Sequence, residues 1–422
     1  MSNKNLIVRF AALALMLTLP VAAFAQTARV EGMALQGDYI KDYTGIYTYL
    51  SGLSSVGNLV YGELGADAAA TPTDRGMGAV LGNLWDGKYG TWAIHLRSQT
   101  SNLGQGDAVS HPGASDSLGL GSDPNSNRNE AFDLMWGKKF GNKSLGLRLN
   151  RSFRKDKTVT GGVTTNLELD DIVTNNNLGR NITGFGGGFG FELSQNSSVE
   201  LSGLFETRSF ENVTTPPGTS NKDDGGSTYQ LAGRIMWQWT PSCVVTPVVK
   251  IYNFDLSRTT VPAATFSNKL SGWQVGAAGN WTVGTSDLFV LGGTFAQNKI
   301  EEDENLFGLQ GLFGAPNPQL KVTETLSPQV FAALETHINR WLTLRFGANN
   351  GAFQKIKVTG QGVTPFTEEL TISSFHMNLG AGVKLGTLQL DGVLDNNFAQ
   401  HFTMVTSTAA PIASKVSATY AF

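Results

Sequence analysis

The chain has 422 residues and one cysteine, Cys243, which excludes an intramolecular disulfide framework even in an oxidising compartment. Charge is scarce at 15 %, and the 31 basic and 34 acidic residues nearly cancel. There is no basic excess of the kind that binds nucleic acid, so no nucleic-acid partner is expected. Beyond residue 25 no apolar run approaches the roughly twenty residues of a membrane-spanning helix. The five histidines, His95, His111, His337, His376 and His401, show no H-x-x-x-H spacing. No catalytic grouping is visible, so neither an enzyme, a metal site nor a cofactor is expected.

What is present is alternation. In Lys415-Val416-Ser417-Ala418-Thr419-Tyr420-Ala421-Phe422 the apolar side chains Val416, Ala418, Tyr420 and Phe422 take every second position. In a strand that gives one apolar and one polar face. Leu145, Leu147 and Leu149 likewise oppose Gly146, Arg148 and Asn150, and Phe375 to Leu385 alternate with His376, Asn378, Gly380, Gly382 and Lys384. Near the start, Lys4 and Arg9 precede an apolar stretch and then Ala23-Phe24-Ala25, the pattern of a cleaved signal peptide over residues 1–25 with Gln26 as the first mature residue.

Short turns and long polar segments also alternate. The short turns fall at 85–88, 141–144, 195–198, 240–243, 284–287, 339–340 and near Gly386. The long segments fall at 66–75, 99–129, 156–178, 211–226, 257–269, 300–323, 359–368 and 398–411. Interleaving them predicts an all-β antiparallel transmembrane barrel of sixteen strands over residues 56–422. Fourteen strands result if the first hairpin is irregular. Trp85, Trp237, Trp239, Trp281 and Trp341 all lie beside short turns, as an interfacial aromatic girdle requires. Trp341 breaks the parity of Leu342, Leu344 and Phe346, which predicts a bulge or an inward ring.

Residues 26–55 precede the first strand yet carry Tyr39, Ile40, Tyr43, Ile46, Tyr47, Tyr49 and Leu50, too apolar for a free tail. They are expected inside the lumen as a plug. Gly186, Gly188 and Gly190 share the lumen face of one strand, either clearing space for that segment or easing barrel curvature. Parity places Arg148, Arg154, Glu200, Glu206, Arg208, Arg234, Arg345, His376, Lys384, Asp391, Asp395 and Lys415 on the pore lining. With both signs mixed, mutual pairing such as Lys384 with Asp391 is expected rather than a charge filter. The Glu301-Glu302-Asp303-Glu304 run reads as a solvated external loop, or as a cation-attracting patch facing lipopolysaccharide.

The 415–422 ending resembles the closing strand of bacterial outer-membrane β-barrels. That resemblance implies that Tyr420 and Phe422 form an assembly signal for the barrel-assembly machinery, that the chain resides in the bacterial outer membrane, and that lipid and lipopolysaccharide surround it. Gly37 to Tyr43 and Asn58 to Gly65 resemble the amino-terminal region of long-chain fatty-acid-transporter and PorV-type barrels. The Asn-Pro-Ala segment of those families is absent from Tyr49-Leu50-Ser51-Gly52-Leu53. The expected function is a porin-like channel for passive passage of small solutes. The alternatives are a plugged barrel moving apolar molecules and a non-transporting envelope anchor. A homo-oligomer is left open.

Overall fold

The computed structural model describes residues 28–35, 37–65, 75–82, 84–97, 131–161, 172–194, 197–215, 219–223, 227–255, 257–261, 264–284, 286–302, 320–351, 354–360, 363–370, 375–395 and 415–422. Sixteen antiparallel strands form the wall. They are β1 (Leu59–Gly65), β2 (Arg75–Leu81), β3 (Thr91–Arg97), β4 (Ala131–Phe140), β5 (Lys143–Gly161), β6 (Ile172–Ser194), β7 (Ser197–Thr215) and β8 (Ser227–Thr240). There follow β9 (Cys243–Asp255), β10 (Asn268–Val283), β11 (Asp287–Glu302), β12 (Leu320–His337), β13 (Leu342–Gly351), β14 (His376–Leu385), β15 (Leu388–Asp395) and β16 (Lys415–Ala421). Each pairs with its neighbours in sequence, and β16 pairs with β1 from Lys415↔Gly65 to Ala421↔Leu59, which closes the sheet. A closed barrel leaves no edge whose backbone groups lipid could not satisfy.

Binary patterning builds this wall. In β6, Phe185 (62 % exposed) and Phe189 point outward, whereas Gly186, Gly188 and Gly190 point inward. In β8, Leu231, Ile235 and Trp237 are outward and Gln230, Ala232 and Arg234 are buried within. The short turns are tight, and Gly141 and Gly386 take positive φ angles of 61° and 65° there, a conformation that costs glycine little. Trp341 lies in the turn before β13, not in the strand. The Asn339 side chain accepts from the Trp341 and Leu342 N–H groups, so neither a bulge nor an inward ring occurs.

The long segments differ from expectation. Segments read as polar loops continue as ladder: β5 and β6 stay paired out to Gly161↔Ile172, and extra strands occur at Thr219–Asp223, Arg258–Val261, Ala264–Phe266, Gln354–Gly360 and Val363–Leu370. Nine to eleven residues suffice to cross a bilayer, yet β6 has 23. Outside the apolar belt of the wall both sheet faces can be polar, so the apolar alternation that marks a strand in sequence disappears while the hydrogen-bond ladder persists. Pro247 interrupts the β8–β9 ladder and Pro328 interrupts β11–β12, as expected where the proline N–H is missing.

Residues 28–55 form short helical turns at Ala28–Glu31, Gly37–Tyr39, Tyr43–Tyr47 and Leu50–Ser55. Asp42 caps the third by accepting from Thr44 N (3.0 Å). The segment lies within the barrel, and the apolar core of the molecule sits between it and the inner wall. Val30, Met33, Leu35, Tyr39 and Ile40 pack on Val248, Ala278, Val290 and Phe331. On the other side Ile46, Tyr47 and Leu53 pack on Tyr61, Val80, Ala93 and Met135.

Candidate functional site: the occupied lumen

Two wall arginines, Arg148 and Arg234, bond the segment directly, and a third, Arg345, steadies a wall carboxylate that does. Arg148 on β5 donates through Nε and Nη2 to Asp133 Oδ1 (3.0 and 2.9 Å) and through Nη1 to the Tyr47 carbonyl (3.1 Å). Arg234 on β8 donates to Glu200 Oε2 (2.6 Å) and to the carbonyls of Asp38 and Ile40 (3.0 and 3.1 Å). Arg345 on β13 bonds Glu335 (2.7 Å) and pairs with Asp391 (2.6 Å). Glu335 in turn accepts a two-pronged contact from Arg29 of the segment (2.9 and 2.8 Å), whose remaining nitrogen pairs with Asp42. Planar guanidinium groups suit this work because they bind a carboxylate and a carbonyl at fixed angles.

Other ties complete the circuit. Lys250 on β9 pairs with Asp38 at 2.5 Å, with both side chains buried, and Lys415 on β16 pairs with Glu31. Gln274 donates to the Tyr39 hydroxyl (3.2 Å), and Asn280, Asn349 and Asn378 donate to the carbonyls of Tyr39, Ala34 and Glu31. Leu50 N donates to Ser202 Oγ, and Tyr43 shares a hydrogen bond with Thr419. Burial, then the Asp38 charge, pushes the Tyr39 and Tyr49 phenols well above their ordinary range. Burial alone would lower Arg29, but Asp42 and Glu335 raise it above its usual value.

The inward glycines are sites of close approach. A Cβ on Gly188 would lie 2.9 Å from Leu50 Cβ, and one on Gly380 would lie 2.9 Å from Gly32 Cα. Gly146 and Gly347 face the carbonyls of Leu50 and Met33 in the same way. Of the two explanations open for Gly186, Gly188 and Gly190, the structure supports space for the segment.

The sequence-predicted lining residues divide. Arg148, Glu200, Glu206, Arg234, Arg345, Asp391 and Lys415 are buried inside, with Glu206 accepting from Asn150 (2.7 Å). Lys384 does not pair with Asp391. The register sets Gly382 opposite Asp391 and leaves Lys384 opposite Gln389, exposed at the short-turn rim. His376 opens β14, and its side chain lies outside the described residues, as do those of Arg154, Arg208 and Asp395. Tyr420 and Phe422 stack on each other at the outer surface, 6.2 Å between centroids. Glu301 pairs with Lys321 (3.1 Å), while Asp303 and Glu304 lie outside the described residues. The signal-peptide reading also falls outside them. Among the described residues no group of three or more His, Cys, Asp or Glu side chains could hold a metal ion.

Sequence reasoning missed Asp133, Lys250 and Glu335 on the wall and Arg29, Glu31, Asp38 and Asp42 on the segment. The wall residues carried a signal: Lys250 alternates with Val249 and Ile251, and Glu335 with Leu334. The segment has no strand periodicity, so nothing local indicated its partners.

Sixteen strands closed on themselves, apolar outside and occupied by the chain's own residues 28–55, define the class: a closed antiparallel β-barrel with an internal plug. No family model and no curated protein matches the chain. Among solved structures it is similar to the Pseudomonas putida toluene transporter TodX (8 % identity, 94 % of this chain and 96 % of that one, TM-score 0.39). It is also similar to CdiB from Escherichia coli (10 %, 86 % and 63 %, 0.40) and to the Ralstonia pickettii toluene transporter TbuX (9 %, 96 % and 99 %, 0.32). At these identities and scores the likenesses identify neither a family nor a substrate.

Proposed function

We propose that the protein is a bacterial outer-membrane channel held closed by its own N-terminal segment, and that small solutes pass when the segment is displaced. Support for membrane placement comes from the outward apolar faces and from Trp237, Trp239 and Trp341, all exposed beside short turns. The closed resting state rests on one observation: residues 28–55 are tied to strands around the whole wall. A sixteen-stranded barrel is wide enough to conduct when nothing fills it. A permanently open porin is therefore the poorer reading. The test is planar-bilayer conductance of the full protein and of a variant lacking residues 28–50, each checked for a heat-dependent shift in gel mobility. Low conductance in the full protein and a several-fold rise in the deletion are expected. Equal conductance in two assembled barrels would refute the plug.

An apolar cargo is a second reading, and one feature favours it. Displacing residues 30–40 would uncover Val248, Val290 and Phe331, an apolar strip on the inner wall. Faster entry of an apolar fluorescent tracer than of a neutral sugar of equal size through the deletion variant would support it.

A further inference from the structure

The lipid-facing surface of β3 to β6 is not flat. It carries a groove of about 530 Å³ whose lining is almost wholly apolar, with walls from Trp92, Leu134, Trp136, Leu147 and Phe185. Its floor is Gly187, where a side chain would meet open space. On a barrel outside, where side chains normally form an even layer, such a trough exists because one outward position lacks a Cβ. The groove runs toward the short-turn rim, since Trp136 lies four residues from Phe140 on the same face of β4.

At that end the charge changes. Lys138 lies on the outward face of β4 next below Trp136 and reaches the Lys88 carbonyl (2.9 Å), its ammonium 5.5 Å from the centre of the Phe140 ring. Lys143 opens β5 on the same outward face as Leu145 and Leu147, and Lys88 lies 5.4 Å over the Tyr89 ring. The Trp136 indole donates to the Tyr89 carbonyl (2.5 Å) and so ties the Lys88 turn to β4. Two carboxylates are close. Glu192 is engaged by Lys139 (2.7 Å), and Asp86 is exposed on the Lys88 turn. The turns at 240–243 and 284–287 carry no lysine or arginine, and that at 338–341 carries only Arg340. Elsewhere on this rim Arg340 and Lys384 stand singly, whereas Lys88, Lys138 and Lys143 gather below the groove.

We infer that this surface is a binding site for one anionic glycerophospholipid, with an acyl chain in the groove over Gly187 and the phosphate among Lys88, Lys138 and Lys143. The chemistry is complementary at both ends. Tethered ammonium groups beside a membrane surface favour anionic headgroups, and lysine stems lie along apolar surface while their charges reach the wet zone. The inference rests on the membrane placement proposed above.

The experiment reconstitutes the full protein in nanodiscs of equal phosphatidylglycerol and phosphatidylcholine, extracts it mildly, and quantifies retained lipid by mass spectrometry. Phosphatidylglycerol should be enriched roughly tenfold over the bulk ratio. The triple variant Lys88→Gln, Lys138→Gln, Lys143→Gln should lose that preference. Gly187→Trp, which fills the trough and leaves the lysines in place, should lose retention of the bound lipid itself. Each variant is checked for the heat-dependent gel shift of an intact barrel. Equal retention of both lipids by the wild type, or an unchanged ratio in the triple variant, overturns the site. Failure of the folded barrel to enter nanodiscs at all would instead overturn the membrane placement.

Discussion

Arg234 lies over the ring of Tyr49, its guanidinium carbon 4.0 Å from the ring centre. The same side chain bonds two carbonyls of the segment and one carboxylate of the wall, so one residue links β7, β8 and the plug. Arg234→Leu would leave Glu200 buried without its cation and free the Asp38 and Ile40 carbonyls. Breaking a buried pair from one side costs about 3–5 kcal/mol. The expected outcome is a barrel that still shifts on heating but conducts well above wild type. Arg234→Lys should fall between, because an ammonium cannot reproduce the fork. Wild-type conductance in Arg234→Leu would mean that the other ties hold the plug without it.

The glycines that touch the plug differ from those that face outward. Valine at position 380 would press on the Gly32 backbone, which cannot turn aside as a flexible side chain does. Gly380→Val should lift the start of the plug and raise conductance while the barrel still assembles. Gly187→Ala, pointing into open space, should change stability by less than about 0.5 kcal/mol. Similar behaviour of the two variants would revive barrel curvature as the reason for the inward glycines.

The wall was legible in the sequence because an apolar outside and a polar or glycine-lined inside impose a period of two on its strands: Leu145-Gly146-Leu147-Arg148 states which side is which. The strand extensions were not, since the stretch from Asn175 to Asn177 pairs with Val213 to Thr215 beyond the apolar zone, where no face need be greasy. Parity brought Arg148, Arg234 and Arg345 to the lumen but could not name their partners. Those depend on register across strands, as with Glu335 opposite Arg345, or on a segment folded in three-residue turns, as with Asp38. The inward apolar residues Val248 and Phe331 run against the expectation of a wet lumen and make sense only once the plug is seated on them.

Lys250 and Asp38 form a buried pair that a double-mutant cycle can isolate. Lys250→Met alone strands the carboxylate of Asp38 and should destabilise the seated plug by about 3–5 kcal/mol. Adding Asp38→Asn removes the stranded charge and should restore most of that loss. Hydrogen exchange of the backbone amides in residues 43–55 reads the opening directly, with acceleration of about 100-fold or more in the single variant and near wild-type rates in the double. Equal acceleration in both would show that the pair acts through packing rather than charge.

Alkaline pH should open the channel. Tyr39 and Tyr49 have phenols raised above the free value of about 10 by burial and by the Asp38 charge. A group whose seated pKa exceeds its free pKa gives its full contribution below the free value. That contribution falls away as pH climbs from the free toward the seated pKa. Seating of the plug should therefore be insensitive to these tyrosines at neutral pH and weaken above about pH 10. Conductance should rise reversibly there, in a barrel that keeps its heat-dependent gel shift. The control is the double variant Tyr39→Phe, Tyr49→Phe. It keeps the rings, loses the ionisable hydroxyls, and should move the onset to higher pH. An onset that stays in place would show that these two phenols do not drive the opening.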